Sequence, residues 1–368
     1  MFRKRSLAQQ TPALAPRSGE AAEGGREGLS VGRQIIDKGE LWSTKKYICN
    51  LLIGFHLFVG MNVVFNVEAD ALQTKKIGRR NFNYSLRVDG LDRKYVVHVP
   101  KRYKRKQKVP VVIMFHGGGG TARATMRETK WNVKSEEEGF LMVYPEGTRS
   151  HPNRRASFSR NPQNWNDGSG RMNVGAIQRG VDDVKFVRKI IEDLSERYNI
   201  DKKRVYVTGF SNGAGMAFRV ARVLSDMVAA NAAVSGSDWL EEPIPSRPVP
   251  LLYISGTDDR QNPLEGGEIT LAGGHYGRKP SVYDQIEKWS KMFDCPINPQ
   301  IISDEDGVKG ISYGPCRDDS KIVFYTIEGM GHTWPGGKSL LPESIVGKTS
   351  NKIIANDLIW EFFKSCSR

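Results

Sequence analysis

Apolar positions along this chain fall into two kinds of run, and their alternation sets the expected architecture. The stretch "VPVVIMFHGGGG" (109–120) is almost continuously apolar until it meets glycines. Similar runs recur at "FLMVYPEG" (140–147), "RVYVTGFSNG" (204–213), "VPLLYISGTDD" (249–259) and "KIVFYTIEGMGH" (321–332). A strand that is apolar at consecutive positions is buried on both faces, as in a parallel sheet covered by helices. Between these runs the period changes. Within 180–199, Val181, Val184, Val187, Ile190, Ile191 and Leu194 recur at helical spacing. The segments 212–226, 283–293 and 350–366 read as further helices. Upstream, "NYSLRVDGLDRKYVVHVP" (83–100) alternates and is broken by Asp89-Gly90, which predicts an antiparallel hairpin at a sheet edge. The pattern predicts an α/β fold: a mostly parallel central sheet with helices on both faces and an antiparallel N-terminal hairpin. In such sheets ligands bind beyond the carboxyl ends of the strands. There stand His116 with its four glycines, Ser211, Asp258 with Asp259, and His332.

The N-terminal region follows different rules. Residues 1–46 are polar, rich in Gly, Ala, Arg and Glu, and lack periodicity, so they read as a disordered or mis-assigned extension. Lys45 and Lys46 precede an apolar run from Tyr47 to Phe65, and Ala69-Asp70-Ala71 supplies a small-x-small cleavage pattern. Residues 47–71 therefore read as a secretory signal cleaved after Ala71, or as a signal anchor if the run is retained. The expected location is extracellular or periplasmic, with a membrane-anchored, outward-facing protein as the alternative. The globular part spans 79–366.

Charge changes the picture little. The net charge is +14, of which about +12 lies beyond residue 71, spread along the chain with one dense run, "KRYKRKQK" (101–108). That run reads as a solvated turn before a core strand. Zinc-finger spacing and aromatic-basic RNA-binding patterns are lacking, so nucleic acid is not an expected partner. Of four cysteines, Cys49 lies in the signal, and Cys295 and Cys316 flank a polar loop of a length suited to a disulfide. Cys366 is left over.

The stretch Gly209-Phe210-Ser211-Asn212-Gly213 matches G-x-S-x-G, with a strand before it and a helix after it. At such a turn the residues two before and two after the serine must be small. The hydroxyl is then lifted clear of the sheet, and the Asn212 N–H is aimed at developing negative charge. A serine hydroxyl needs a base, and the base an orienting acid. Asp258 and Asp259 follow the next strong strand, and His332 follows the last one. The glycines of "HGGGG" can offer unobstructed N–H groups for an oxyanion. A Walker A loop would need Gly-Lys-Ser/Thr there, which is missing.

Residues 79 to about 366 resemble the secreted feruloyl esterases and poly(3-hydroxybutyrate) depolymerase-like (LpqC-type) esterases of the α/β-hydrolase fold. The resemblance is carried by "FHGGGGTA", "GFLMVYPEGT", "NWNDGSG", "GVDDVKFVRKII", "DKKRVYVTGFSNGAGMAFRVA", "SGTDDRQNPLEGG" and "GMGHTWPGG", in that order. It implies Ser211 as nucleophile and His332 as general base. The family's acid motif, G-T-x-D-x-x-x-P, falls on Gly256, Thr257, Asp259 and Pro263, which implies Asp259 rather than Asp258 as the acid. The implied oxyanion donors are the N–H groups of Asn212 and Gly118, with Gly117 beside them. Cys295 and Cys316 match the positions of a family disulfide. Asn164 stands where many relatives have a cysteine, which leaves the anchoring of its loop open. Trp165, Trp334 and His116 are expected to line the cleft as substrate-binding residues. Asp167 and the pair Asp182-Asp183 are read as structural. No metal and no organic cofactor is expected. The implied partner is an ester, polysaccharide-linked or polyester, with a membrane involved only if 47–65 is retained.

Overall fold

The computed structural model describes residues 80–368, apart from 172 and 272–273. The chain divides at Thr74/Lys75, and all described residues lie in the unit Lys75–Arg368. The expected extension (1–46) and signal (47–71) lie outside the described residues.

Ten strands form one sheet in the order β1-β2-β4-β3-β7-β8-β9-β14-β13-β12. Its centre comprises β4 (Leu141–Pro145), β3 (Val109–Phe115), β7 (Ile200–Phe210), β8 (Ala230–Val234), β9 (Leu251–Gly256) and β14 (Ile322–Ile327), each parallel to its neighbour. The predicted hairpin is β1 (Asn81–Val88) with β2 (Leu91–His98), turning at Asp89-Gly90 and pairing antiparallel onto β4. A second hairpin, β12 (Gln300–Glu305) with β13 (Val308–Tyr313), closes the opposite edge antiparallel to β14. The minor strands β5 (Thr148–Arg149) and β6 (Gln163–Asn164), and β10 (Gly267–Leu271) and β11 (Gly274–Lys279), form two separate ribbons.

Both faces of the sheet are covered, because central residues such as Val111, Val112, Ile113 and Met114 send alternate side chains into two different cores. One core packs helices Asp183–Arg197, Asn212–Val223 and Val282–Met292; the other packs Ala122–Thr129, Trp131–Glu138 and Ala355–Lys364. The helix Asp183–Arg197 starts where the sequence predicted, with Asp182 accepting from the Lys185 N–H at 2.9 Å. Asp183 itself is buried and accepts from Arg93 Nη2 at 2.5 Å and from the Asn166 N–H at 2.7 Å. Among the described residues, no helix is long and apolar enough to cross a membrane.

The strand order reverses direction between β3 and β7: the chain runs from β3 outward to β4, then returns to β7 and proceeds the other way. Loops leaving neighbouring strands on either side of such a switch point open a crevice at the carboxyl edge. The glycine loop after β3 and Ser211 after β7 both lie there.

Candidate active site

Ser211 has φ 57° and ψ −122°, a conformation that costs an L-residue energy and must be held by its surroundings. Two glycines make it possible. A Cβ on Gly209 would lie 2.1 Å from Gly213 O, and one on Gly213 would lie 2.2 Å from Phe115 O. The strand, the turn and the helix Asn212–Val223 therefore meet at backbone contact. The Ser211 N–H donates to Val234 O at 3.0 Å, tying the turn to the end of β8.

The glycine loop closes over this turn. A Cβ on Gly117 would lie 3.5 Å from Ser211 Cβ, and one on Gly118 would lie 3.9 Å from Asn212 Cβ. Gly119 and Gly120 spend their N–H groups on Gln163 O and Gly117 O. Those of Gly118 and Asn212 have no protein acceptor among the described residues. Two neighbouring unpaired donors, that of Asn212 at a helix N-terminus, suit a developing oxyanion.

Asp259 and His332 come together after β9 and β14. His332 Nδ1 lies 2.8 Å from Asp259 Oδ2 and 3.0 Å from Oδ1. Asp259 Oδ1 also accepts the N–H groups of Gln261 at 2.9 Å and Asn262 at 2.8 Å. Burial alone would raise the Asp259 carboxyl, but the charge and hydrogen bond of His332 and the Asn262 N–H outweigh it and hold the group below its usual range. An ionised Asp259 fixes the proton on Nδ1 and leaves Nε2 as the basic nitrogen. The His332 ring sits 4.9 Å, centroid to centroid, from that of Phe210, the residue preceding Ser211. Ser211 Oγ and His332 Nε2 make no hydrogen bond in this structure; such contacts often tighten only when substrate binds. Asp258, the alternative acid, is exposed and accepts from its neighbour Thr257 Oγ1 at 3.0 Å.

The expectation that Trp165, Trp334 and His116 touch substrate is corrected by their burial. Trp165 is fully buried and donates Nε1–H to His116 O at 2.9 Å. Trp334 is 2% exposed and donates to Asn356 Oδ1 at 3.0 Å. His116 is fully buried between two backbone partners: Nδ1–H donates to Gly117 O at 2.8 Å, and Nε2 accepts from the Gly147 N–H at 2.9 Å. Burial pushes its pKa down to about 4, so it is neutral and braces the glycine loop from behind. The exposed aromatic at this loop is Phe158, 56% exposed, against which a Cβ on Gly119 would collide at 2.7 Å. Sequence reasoning missed it because it lies in an Arg/Ser/Asn loop with no periodic signal.

The loop whose anchoring Asn164 left open is held by hydrogen bonds. Asn212 Oδ1 accepts from the Trp165 N–H at 2.8 Å, while Asn212 Nδ2 donates to Trp165 O at 3.2 Å and to Asp167 Oδ2 at 2.8 Å. Asp167, 1% exposed, also accepts from Arg171 Nη2 at 2.7 Å and from the Ser169 N–H at 3.1 Å. Cys295 and Cys316 are joined by a disulfide, and Cys366 is free and buried.

Comparison with known proteins gives a consistent relationship. The model of the family described as "Esterase PHB depolymerase" matches residues 94–242. The chain is 27% identical over 252 residues to feruloyl esterase B of Piromyces equi, covering 67% of this chain and 44% of that protein. It is 26% identical over 264 residues to a bifunctional acetylxylan esterase/xylanase of Neocallimastix patriciarum, covering 69% and 33%. It is 25% identical over 256 residues to poly(3-hydroxyalkanoate) depolymerase C of Paucimonas lemoignei, covering 65% and 58%. The chain thus spans less than half the length of the first two relatives. Among solved structures it is similar to acetyl xylan esterase from Aspergillus awamori, with a TM-score of 0.48 and 16% identity over 68% of this chain and 94% of that one. The chain resembles the PHB-depolymerase type of esterase, matching that family's model from residue 94 to residue 242.

Proposed function

We propose that this chain is a serine carboxylic ester hydrolase that works through an acyl-enzyme. The observation that carries the reading is the buried Asp259–His332 pair beside a serine held at positive φ. His332 Nε2 takes the Ser211 proton as Ser211 Oγ attacks the ester carbonyl. Asp259 holds the tautomer and stabilises the imidazolium. The tetrahedral oxyanion sits between the Gly118 and Asn212 N–H groups, with Gly117 shaping the wall. His332 then protonates the leaving alcohol, and in the second half-reaction it activates water against the acyl-Ser211 ester.

The proposed substrates are feruloyl or acetyl esters of plant polysaccharide, supported by the similarity to a feruloyl esterase and an acetylxylan esterase. A second reading, hydrolysis of 3-hydroxybutyrate polyester or its oligomers, is favoured by the family model and the depolymerase relative. Export belongs to the same proposal and rests on the sequence of residues 45–71. The test is hydrolysis of methyl ferulate, acetylated xylan and a soluble 3-hydroxybutyrate oligomer by the full chain, with Ser211→Ala as control. Serine-dependent turnover of one of them supports the mechanism and chooses the substrate. A folded protein that hydrolyses none, and whose Ser211 does not react with a phosphonate, is instead a non-catalytic binding protein on a hydrolase shell.

A further inference from the structure

A second polar system reaches the Ser211–Asp259–His332 cluster from the loop after β8. At its centre is Trp239, a half-exposed ring. The loop beneath it is rigidly held. Asp238 Oδ2 accepts from Arg222 Nε at 2.9 Å, Arg222 Nη2 at 2.6 Å and Trp289 Nε1 at 2.8 Å, all buried. Two cations pack over the Trp239 ring: the guanidinium carbon of Arg171 and Nζ of Lys279 each lie 5.0 Å from its centroid.

Each cation connects to a different part of the site. Arg171 Nη2 donates to Asp167 Oδ2 at 2.7 Å, and that oxygen also accepts from Asn212 Nδ2 at 2.8 Å, on the residue after Ser211. Lys279 Nζ lies 3.5 Å from Ser237 Oγ, which donates to Asn262 Oδ1 at 3.0 Å; the Asn262 N–H donates to Asp259 Oδ1 at 2.8 Å. The loop also lies against the turn itself, since a Cβ on Gly236 would be 2.3 Å from Ser211 O.

The charges do not balance within the cluster. Arg171 has Asp167 as its counter-ion. Lys279 has no carboxylate within ion-pair distance among the described residues, and a hydroxyl is its nearest polar contact. Burial first, and Arg171 second, push its ammonium down to about 8, against the opposing pull of Asp167 and Asp259. Both cations are half-buried, so an anion that reaches them would meet them partly desolvated, where charge-assisted hydrogen bonds are strong.

We propose that Arg171, Trp239 and Lys279 form a subsite for a carboxylate carried by the ester substrate, apart from the reacting carbonyl. The proposal rests on the esterase reading above and narrows it to anionic esters. Two sources share that chemistry: a hydroxy-acid oligomer with a free terminal carboxylate, and a uronic-acid unit of an acidic polysaccharide.

The experiment uses the full chain and matched pairs: the 3-hydroxybutyrate dimer as free acid and as methyl ester, and acetylated glucuronoxylan before and after carboxyl reduction. The expected result is that kcat/KM favours the charged member of one pair by roughly tenfold, the worth of one charge-assisted hydrogen bond. Lys279→Met removes that preference, acting through KM rather than kcat, and Lys279→Arg restores it. The ratio is taken within each variant, so loss of folded protein cancels. The pair that shows the preference identifies the source. No preference for either charged member, or an unchanged preference in Lys279→Met, overturns the subsite while serine-dependent turnover keeps the esterase reading. No turnover of any ester, together with a Ser211 inert to phosphonate, overturns both.

Discussion

Replacing Asp259 by asparagine tests the site at the level of single protons. Oδ1 of Asp259 accepts two backbone N–H groups, those of Gln261 and Asn262, at 2.9 and 2.8 Å. An amide at this position must therefore turn its oxygen toward them, which leaves its NH2 facing His332 where Oδ2 now lies 2.8 Å from Nδ1. Two donors cannot face each other, so Nδ1 becomes the acceptor and the ring proton moves to Nε2. That is the nitrogen that must be unprotonated to receive the Ser211 proton. The side chain keeps its shape and its fold contacts while the base is present in the wrong tautomer. The expected loss is about ten-thousand-fold in kcat, or about 5.4 kcal/mol of transition-state stabilisation. Asp258→Asn is the internal control: Asp258 is exposed, and its change is expected to alter kcat less than twofold. The assay is steady-state hydrolysis of p-nitrophenyl acetate, with unfolding curves to verify equal folding. An Asp259→Asn variant within tenfold of wild type, or an Asp258→Asn variant as damaged as Asp259→Asn, would refute the reasoning.

Four further outcomes are expected. Glu128 is raised to about 7 by burial, so the folded state holds its proton after the unfolded chain has lost it. Stability should then fall as pH rises from about 4.5 to about 7, and Glu128→Gln should flatten this slope and stabilise the protein by on the order of 2 kcal/mol at pH 8, read by urea unfolding at several pH values. Cys295 and Cys316 close a loop with a sequence separation of 21, so the double alanine variant should lose about 3 kcal/mol in chemical denaturation; an unchanged midpoint would contradict the chain-entropy account. Phe158→Ala should raise KM for methyl ferulate roughly three- to tenfold, the range of one aromatic contact, with a smaller effect on an acetyl ester. Above about pH 8, the preference for a charged substrate should decline as Lys279 loses its proton, with Arg171, Asp167 and Asp259 as the charges that set the midpoint; a preference constant from pH 6 to 9.5 would speak against Lys279 as its source.

Most of the sheet was legible in the sequence because strands buried on both faces leave continuous apolar runs, and the central strands β3, β4, β7, β9 and β14 each do. β8 was not, because "ANAAV" is short and rich in alanine, which carries little strand signal even when fully buried. The positions of Ser211 and His332 could be read because each follows such a run directly. Periodicity could not choose between Asp258 and Asp259, since adjacent residues after a strand differ only in the turn they enter; the family register favoured Asp259, and in the structure that side chain is the one facing His332. The tryptophans were misread for a related reason. A ring in a glycine-rich motif can face the cleft or the core, and the partner that decides the matter, His116 O for Trp165 and Asn356 for Trp334, lies 49 or 22 residues away. Lys279 and Trp239 meet through a ribbon, β10–β11, that no local pattern connects to the loop after β8.

The Phe210–His332 contact has a consequence for motion. The imidazole is gripped at Nδ1 by Asp259, its backbone N–H is bonded to Val346 O, and one side of the ring lies against Phe210. The carboxylate and the ring contact thereby restrict rotation about the side-chain bonds already in the folded chain, before substrate arrives. Freezing a side chain costs about 0.5–1.5 kcal/mol, and here that entropy is lost once per molecule instead of once per turnover. The second residue of G-x-S-x-G, free in the motif, is in this chain a cushion against which the imidazole of the proposed base rests.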